Sequence, residues 1–157
     1  MVIQRWQSLM LFMAALLMGF FTFMSLGQVQ LPDLTTLNFT TFGFQYEGTQ
    51  PTGAADPYYM QTWGFFVISL LTCILPFINI FLFKNTRLQK MVCLIELLLL
   101  VAVIVVGAIY GYNGIDNAAV SWSTIICAPF LALIITVMAF NRISADERLL
   151  RSAERFR

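Results

Sequence analysis

The chain has no histidine. That removes histidine-ligated haem, most zinc sites, the commonest general base and the commonest side-chain pH switch. Charge is scarce too: Asp, Glu, Lys and Arg make up 11% of the 157 residues, against roughly a quarter in a soluble domain. The three cysteines, Cys73, Cys93 and Cys127, each lie inside an apolar run with no Cys-x-x-Cys spacing, so they read as small buried residues. No glycine-rich phosphate loop occurs, no apolar run holds a carboxylate pair, and no base is placed to activate a serine or threonine. No enzymatic activity, cofactor, metal or nucleic-acid partner is expected.

What remains is apolar surface: 59% of residues are hydrophobic and mean hydropathy is +0.80. Four runs stand out, at about 9–26, 63–83, 91–110 and 122–140. At the helical rise of 1.5 Å they reach roughly 27 to 31 Å, close to the hydrocarbon thickness of a bilayer. The first run exceeds the roughly 7 to 15 apolar residues of a signal peptide, so it reads as a span. The basic residues then fall on one side of a four-span chain. Arg5 precedes the first run, Lys84, Arg87 and Lys90 form a hairpin between the second and third, and Arg142, Arg148, Arg151, Arg155 and Arg157 follow the fourth. None lies in 27–61 or 111–121. The positive-inside bias therefore predicts a single all-α membrane domain over 1–157, a four-helix transmembrane bundle with both termini cytoplasmic.

The outer segment 27–61 should carry a small cap. Leu37 and Phe39 alternate with polar neighbours, and Phe42, Phe44 and Tyr46 continue in the opposite parity, as two short strands joined by a turn or bulge would. Tyr58, Tyr59 and Trp63, then Tyr110, Tyr112 and Trp122, suit an outer aromatic belt. Pro76 and Pro129 should bend the second and fourth helices, with Asn79 near enough to serve a freed carbonyl or a neighbouring helix. Ala15 with Gly19, and Gly107 with Gly111, are small-residue pairs at the spacing that lets helices approach closely. In the tail, Ser144 and Glu147 match a capping box, predicting a fresh amphipathic helix from about Ala145. Its arginines would dock anionic lipid or a cytoplasmic partner.

Glu96 is the sharpest single residue, the one acid within a span. A carboxylate at midspan costs roughly 3 kcal/mol or more, so it needs a use. It lies near the cytoplasmic end, where Lys84, Arg87, Lys90 or Arg142 could pair with it. An ion pair or helix–helix hydrogen bond competes with a proton or ion pathway. The outer acids Asp33, Glu47, Asp56 and Asp116 fit plain solvation better than a calcium site.

Two terminal stretches carry a resemblance. Ile3-Gln4-Arg5-Trp6-Gln7-Ser8, and the tail Ile143-Ser144-Ala145-Asp146-Glu147-Arg148-Leu149-Leu150-Arg151-Ser152-Ala153-Glu154-Arg155-Phe156-Arg157, resemble the ends of a small four-span inner-membrane family of Bacteroidota, domain of unknown function 4293. The resemblance implies a bacterial inner membrane with the 27–61 loop in the periplasm. It implies no activity and no site residues. A similarity of layout alone, to claudin-like tetraspan proteins, lacks their outer-loop disulfide.

The sequence points to a non-catalytic accessory or scaffolding subunit, partnered by membrane lipids and other membrane subunits, with homo-oligomers left open. A small transporter or channel using Glu96 is the alternative. A lipid- or quinone-directed enzyme is third.

Overall fold

The computed structural model describes residues 2–31, 35–48, 57–82, 85–113 and 119–155. Four helices form the bundle: α1 Val2–Phe23, α2 Trp63–Phe81, α3 Thr86–Asn113 and α4 Ala128–Arg155. All four are long and apolar enough to cross a membrane. Helices α1 and α3 each pack against both α2 and α4. The seams are lined by small or polar residues at three- and four-residue spacing: Ser69, Thr72, Pro76 and Asn79 on α2, and Ala128, Ala132, Thr136 and Ala139 on α4. Large aliphatic residues face outward instead, among them Leu71, Leu98, Val101, Ile109 and Ile134. So much exposed apolar surface fits a multi-pass membrane protein and is far more than a soluble monomer carries.

One end of the bundle is closed by a five-stranded antiparallel sheet, ordered β4-β3-β2-β1-β5. The strands are β1 Gly27–Gln30, β2 Thr36–Thr40, β3 Gly43–Tyr46, β4 Tyr58–Gln61 and β5 Ala119–Trp122. The expected hairpin is β2–β3, with Thr40 opposite Gly43 and Thr41–Phe42 as its turn. Three further strands flank it. β5 comes from the second loop and pairs with β1, so the two loops on this side build one cap. The sheet rests on the bundle through an aromatic column. Phe39 stacks on Phe44 at 4.6 Å and on Phe65 at 6.4 Å, and Phe65 meets Phe21 edge-on.

Hydroxyls make the joint between sheet and bundle. Thr22 Oγ1 lies 2.7 Å from Ser69 Oγ across the α1–α2 seam. Thr41 Oγ1 donates to the Thr22 carbonyl at 2.6 Å, and Thr62 Oγ1 donates to the Thr41 carbonyl at 3.0 Å. The Thr22 carbonyl belongs to the last turn of α1, where the helix supplies no donor. Thr41→Val is expected to leave it unbonded and to cost about 1–3 kcal/mol, read as a lower thermal unfolding midpoint in detergent.

Three expectations change. Helix α4 runs unbroken through Ser144 to Arg155, so no new helix starts near Ala145. No glycine or proline interrupts 141–155, and an N-cap forms only where the preceding chain is not helical. Pro129 is the second residue of α4, after a 3-10 turn at Thr124–Cys127. There it starts the helix rather than bends it, because first-turn amides have no intrahelical acceptor to lose. Helix α3 begins at Thr86, so Arg87 and Lys90 belong to its first turns.

Candidate functional site: a buried polar layer above a charged end

Helix α3 presents Cys93 and Glu96 on one face, three residues apart. Both are buried, as are Asn79 of α2 and Thr136 of α4 facing them. Glu96 Oε1 accepts from Thr136 Oγ1 at 3.1 Å, and Asn79 Nδ2 donates to Cys93 Sγ at 2.9 Å. Together these bonds tie α2, α3 and α4 at one level. Leu11, Cys93, Ala139 and Ile143 pack as one apolar cluster alongside. Asn79 thus serves a neighbouring helix, and Glu96 takes a helix–helix hydrogen bond.

Of the expected cations, the described Arg87, Lys90 and Arg142 do not pair with Glu96. Lys90 lies 3.5 Å from Glu147, and its ammonium sits 5.6 Å from the Phe140 ring centre. Arg87, Arg142 and Arg148 are exposed. Lys84 and Arg157 lie outside the described residues, as do the side chains of Arg151 and Arg155. Gln7 of α1 donates to Asp146 of α4, so Asp146 and Glu147 bind the start of α4's tail to α1 and α3.

The small-residue pairs differ in use. Ala15 and Gly19 face α2, where Cys73 Sγ donates to the Ala15 carbonyl at 3.6 Å and would sit 3.6 Å from a Cβ on Gly19. Gly107 and Gly111 do not seat a second helix backbone. A Cβ on Gly107 would meet the Phe65 ring at 3.3 Å, and one on Gly111 would meet the Trp122 ring at 2.2 Å. Their missing side chains make room for aromatic rings arriving from α2 and β5. Beside them an apolar groove of about 390 Å³, lined by Val103, Gly107, Gly111, Trp122 and Phe130, runs between α3 and α4.

A family model described as a domain of unknown function (DUF4293) matches residues 3–156. The chain belongs to this family. No curated protein matches it. Membership brings no site residues with it, so the DUF4293 site is defined by geometry alone. Among the described residues no cluster of three or more metal-ligating Cys, Asp or Glu side chains occurs. Of the four loop acids, Glu47 lies 3.2 Å from Gln28 Nε2, while Asp33, Asp56 and Asp116 lie outside the described residues.

The polar layer and the Gln7–Asp146 contact were not foreseen. One signal in the sequence does point to the layer: Ser69, Thr72 and Asn79 share one helical face of an otherwise apolar α2, and that is its buried face.

Proposed function

We propose that this DUF4293 chain is a non-catalytic accessory or scaffolding subunit of a larger complex in the bacterial inner membrane. Both termini and the α2–α3 hairpin would be cytoplasmic, and the sheet would form a periplasmic cap. The distribution of all nine Lys and Arg residues supports this topology, since the positive-inside bias puts every one on the cytoplasmic side. The observation that carries the subunit reading is the continuity of α4. Its basic tail is the same helix that packs in the bundle, and it extends about 12 Å beyond Glu147 at the helical rise. Anchored through Asp146 and Glu147, it is a rigid cationic arm suited to an acidic partner surface or an anionic headgroup layer.

The buried polar groups fit the same view, since hydroxyl, amide and carboxyl groups of the interior join helices. Purification of the tagged full-length protein from its host in mild detergent is expected to recover a stoichiometric membrane partner. Removal of residues 148–157, which leaves Asp146 and Glu147 in place, should release it. Migration of the full-length protein alone, or only with itself, would overturn the subunit reading. The transporter reading instead predicts a reconstituted flux that Glu96→Gln abolishes.

A further inference from the structure

Two buried oxygens in the polar layer have no hydrogen-bond partner, Asn79 Oδ1 on α2 and Glu96 Oε2 on α3. Their residues are 0% and 1% exposed. The other polar atom of each is engaged across a seam, with Cys93 and with Thr136. Because Cys93 and Glu96 share a face of α3, the contact of Asn79 with Cys93 sets Asn79 and Glu96 at neighbouring levels of the buried interior, about one turn of α3 apart.

An ionised Glu96 would put a full negative charge among an amide, a thiol and a hydroxyl. An uncompensated buried charge is strongly destabilising. Among the described side chains, the neighbouring helices offer no cation to answer it, and Arg87 of α3 is exposed. On α3, Lys90 sits about 9 Å away along the axis and is directed to Glu147. On α4, Arg142 is exposed and Asp146 and Glu147 are acids. Leu11 of α1 is apolar, and Asn79 of α2 is uncharged. With none among the described side chains, the compensating positive charge would be a bound proton or a metal ion. A calcium or magnesium ion would need about six oxygen ligands or more. Here the layer offers a carboxylate, one amide oxygen and one hydroxyl, packed beside Leu11 and Ala139.

We propose that the layer is a proton-binding site, with Glu96 held as the neutral acid and its Oε2–H donated to Asn79 Oδ1 directly or through one water. One hydrogen then satisfies both orphaned acceptors. It completes a chain from Thr136 through Glu96 and Asn79 to Cys93, which clasps α4, α3 and α2. The proposal is independent of whether the chain has a subunit partner.

Infrared spectroscopy of the purified full-length protein in detergent at neutral pH tests it. The expected result is the carbonyl stretch of an un-ionised carboxylic acid, shifting down in heavy water, assigned to glutamate by isotope labelling and absent from Glu96→Gln. The glutamine variant carries an N–H donor in place of the acid O–H and should keep the unfolding midpoint, whereas Glu96→Leu should lower it. Labelling makes the wild-type spectrum decisive even if a variant fails to fold. A spectrum with only ionised carboxylate bands would overturn the proposal. So would a wild-type midpoint that rises when sodium replaces choline at equal ionic strength, which would assign the charge to a metal cation.

Discussion

Phe65→Ala is expected to lower stability by about 3–5 kcal/mol, the usual penalty for emptying a buried aromatic position. Phe65 is 1% exposed near the start of α2 and touches each layer of the fold. Its ring stacks on Phe39 of the sheet, meets Phe21 of α1 edge-on and contacts Tyr110 of α3 at 6.1 Å. Its edge would lie 3.3 Å from a Cβ on Gly107, so α3 is shaped around it. Deletion opens a cavity that three elements would have to fill together, and close packing lets none move alone. At roughly 2–4 °C per kcal/mol for a chain of this size, the thermal midpoint in detergent should fall by about 10 °C. Phe81→Ala is the matched control, since Phe81 is 78% exposed and should change the midpoint little. Equal midpoints for the two variants would show that the column does not hold the sheet to the bundle.

Gly43→Ala should disrupt the cap. Gly43 closes the β2–β3 turn with a φ of 148°, and a Cβ there would lie 2.2 Å from the Met60 carbonyl oxygen. That oxygen belongs to the backbone of β4, which pairs with β3 on either side of a bulge. Relief therefore requires shifting a strand. The left-handed backbone adds to the penalty, and together these effects should exceed roughly 2 kcal/mol. Gly48 separates the two contributions: its φ is 99° but nothing lies within 4 Å of a Cβ there. Gly48→Ala should carry the conformational cost alone, about 1 kcal/mol. Limited proteolysis of the cap and the unfolding midpoint give the readout, with Gly43→Ala cleaved faster than Gly48→Ala. Equal protection of the two variants would mean that the approach of Gly43 to Met60 does not constrain the cap.

The four helices were legible because each is a long apolar run, and hydropathy needs no knowledge of neighbours. The β2–β3 hairpin was legible from the parity change between Phe39 and Phe44. β5 was not, because Ala-Val-Ser-Trp has little pattern in four residues and acquires its partner, β1, from a segment about ninety residues earlier. Glu96 stood out as an acid within a span, yet its partner did not. Four basic residues within reach along the chain suggested an ion pair, and the packing of α3 on α4 supplied the Thr136 hydroxyl instead. The Gly107–Gly111 spacing could not tell a helix partner from an aromatic one.

By itself, then, the sequence determined the number of the apolar helices, the segregation of the basic residues and the presence of one acid in an apolar run. These properties are local, set by composition within a window of about twenty residues. Only the tertiary structure decided that both loops share one sheet, that the tail continues α4, and that Asn79, Cys93, Glu96 and Thr136 meet in one layer. The physical reason is that partners for buried polar groups and strand edges are chosen by how helices pack, through contacts far apart in the chain.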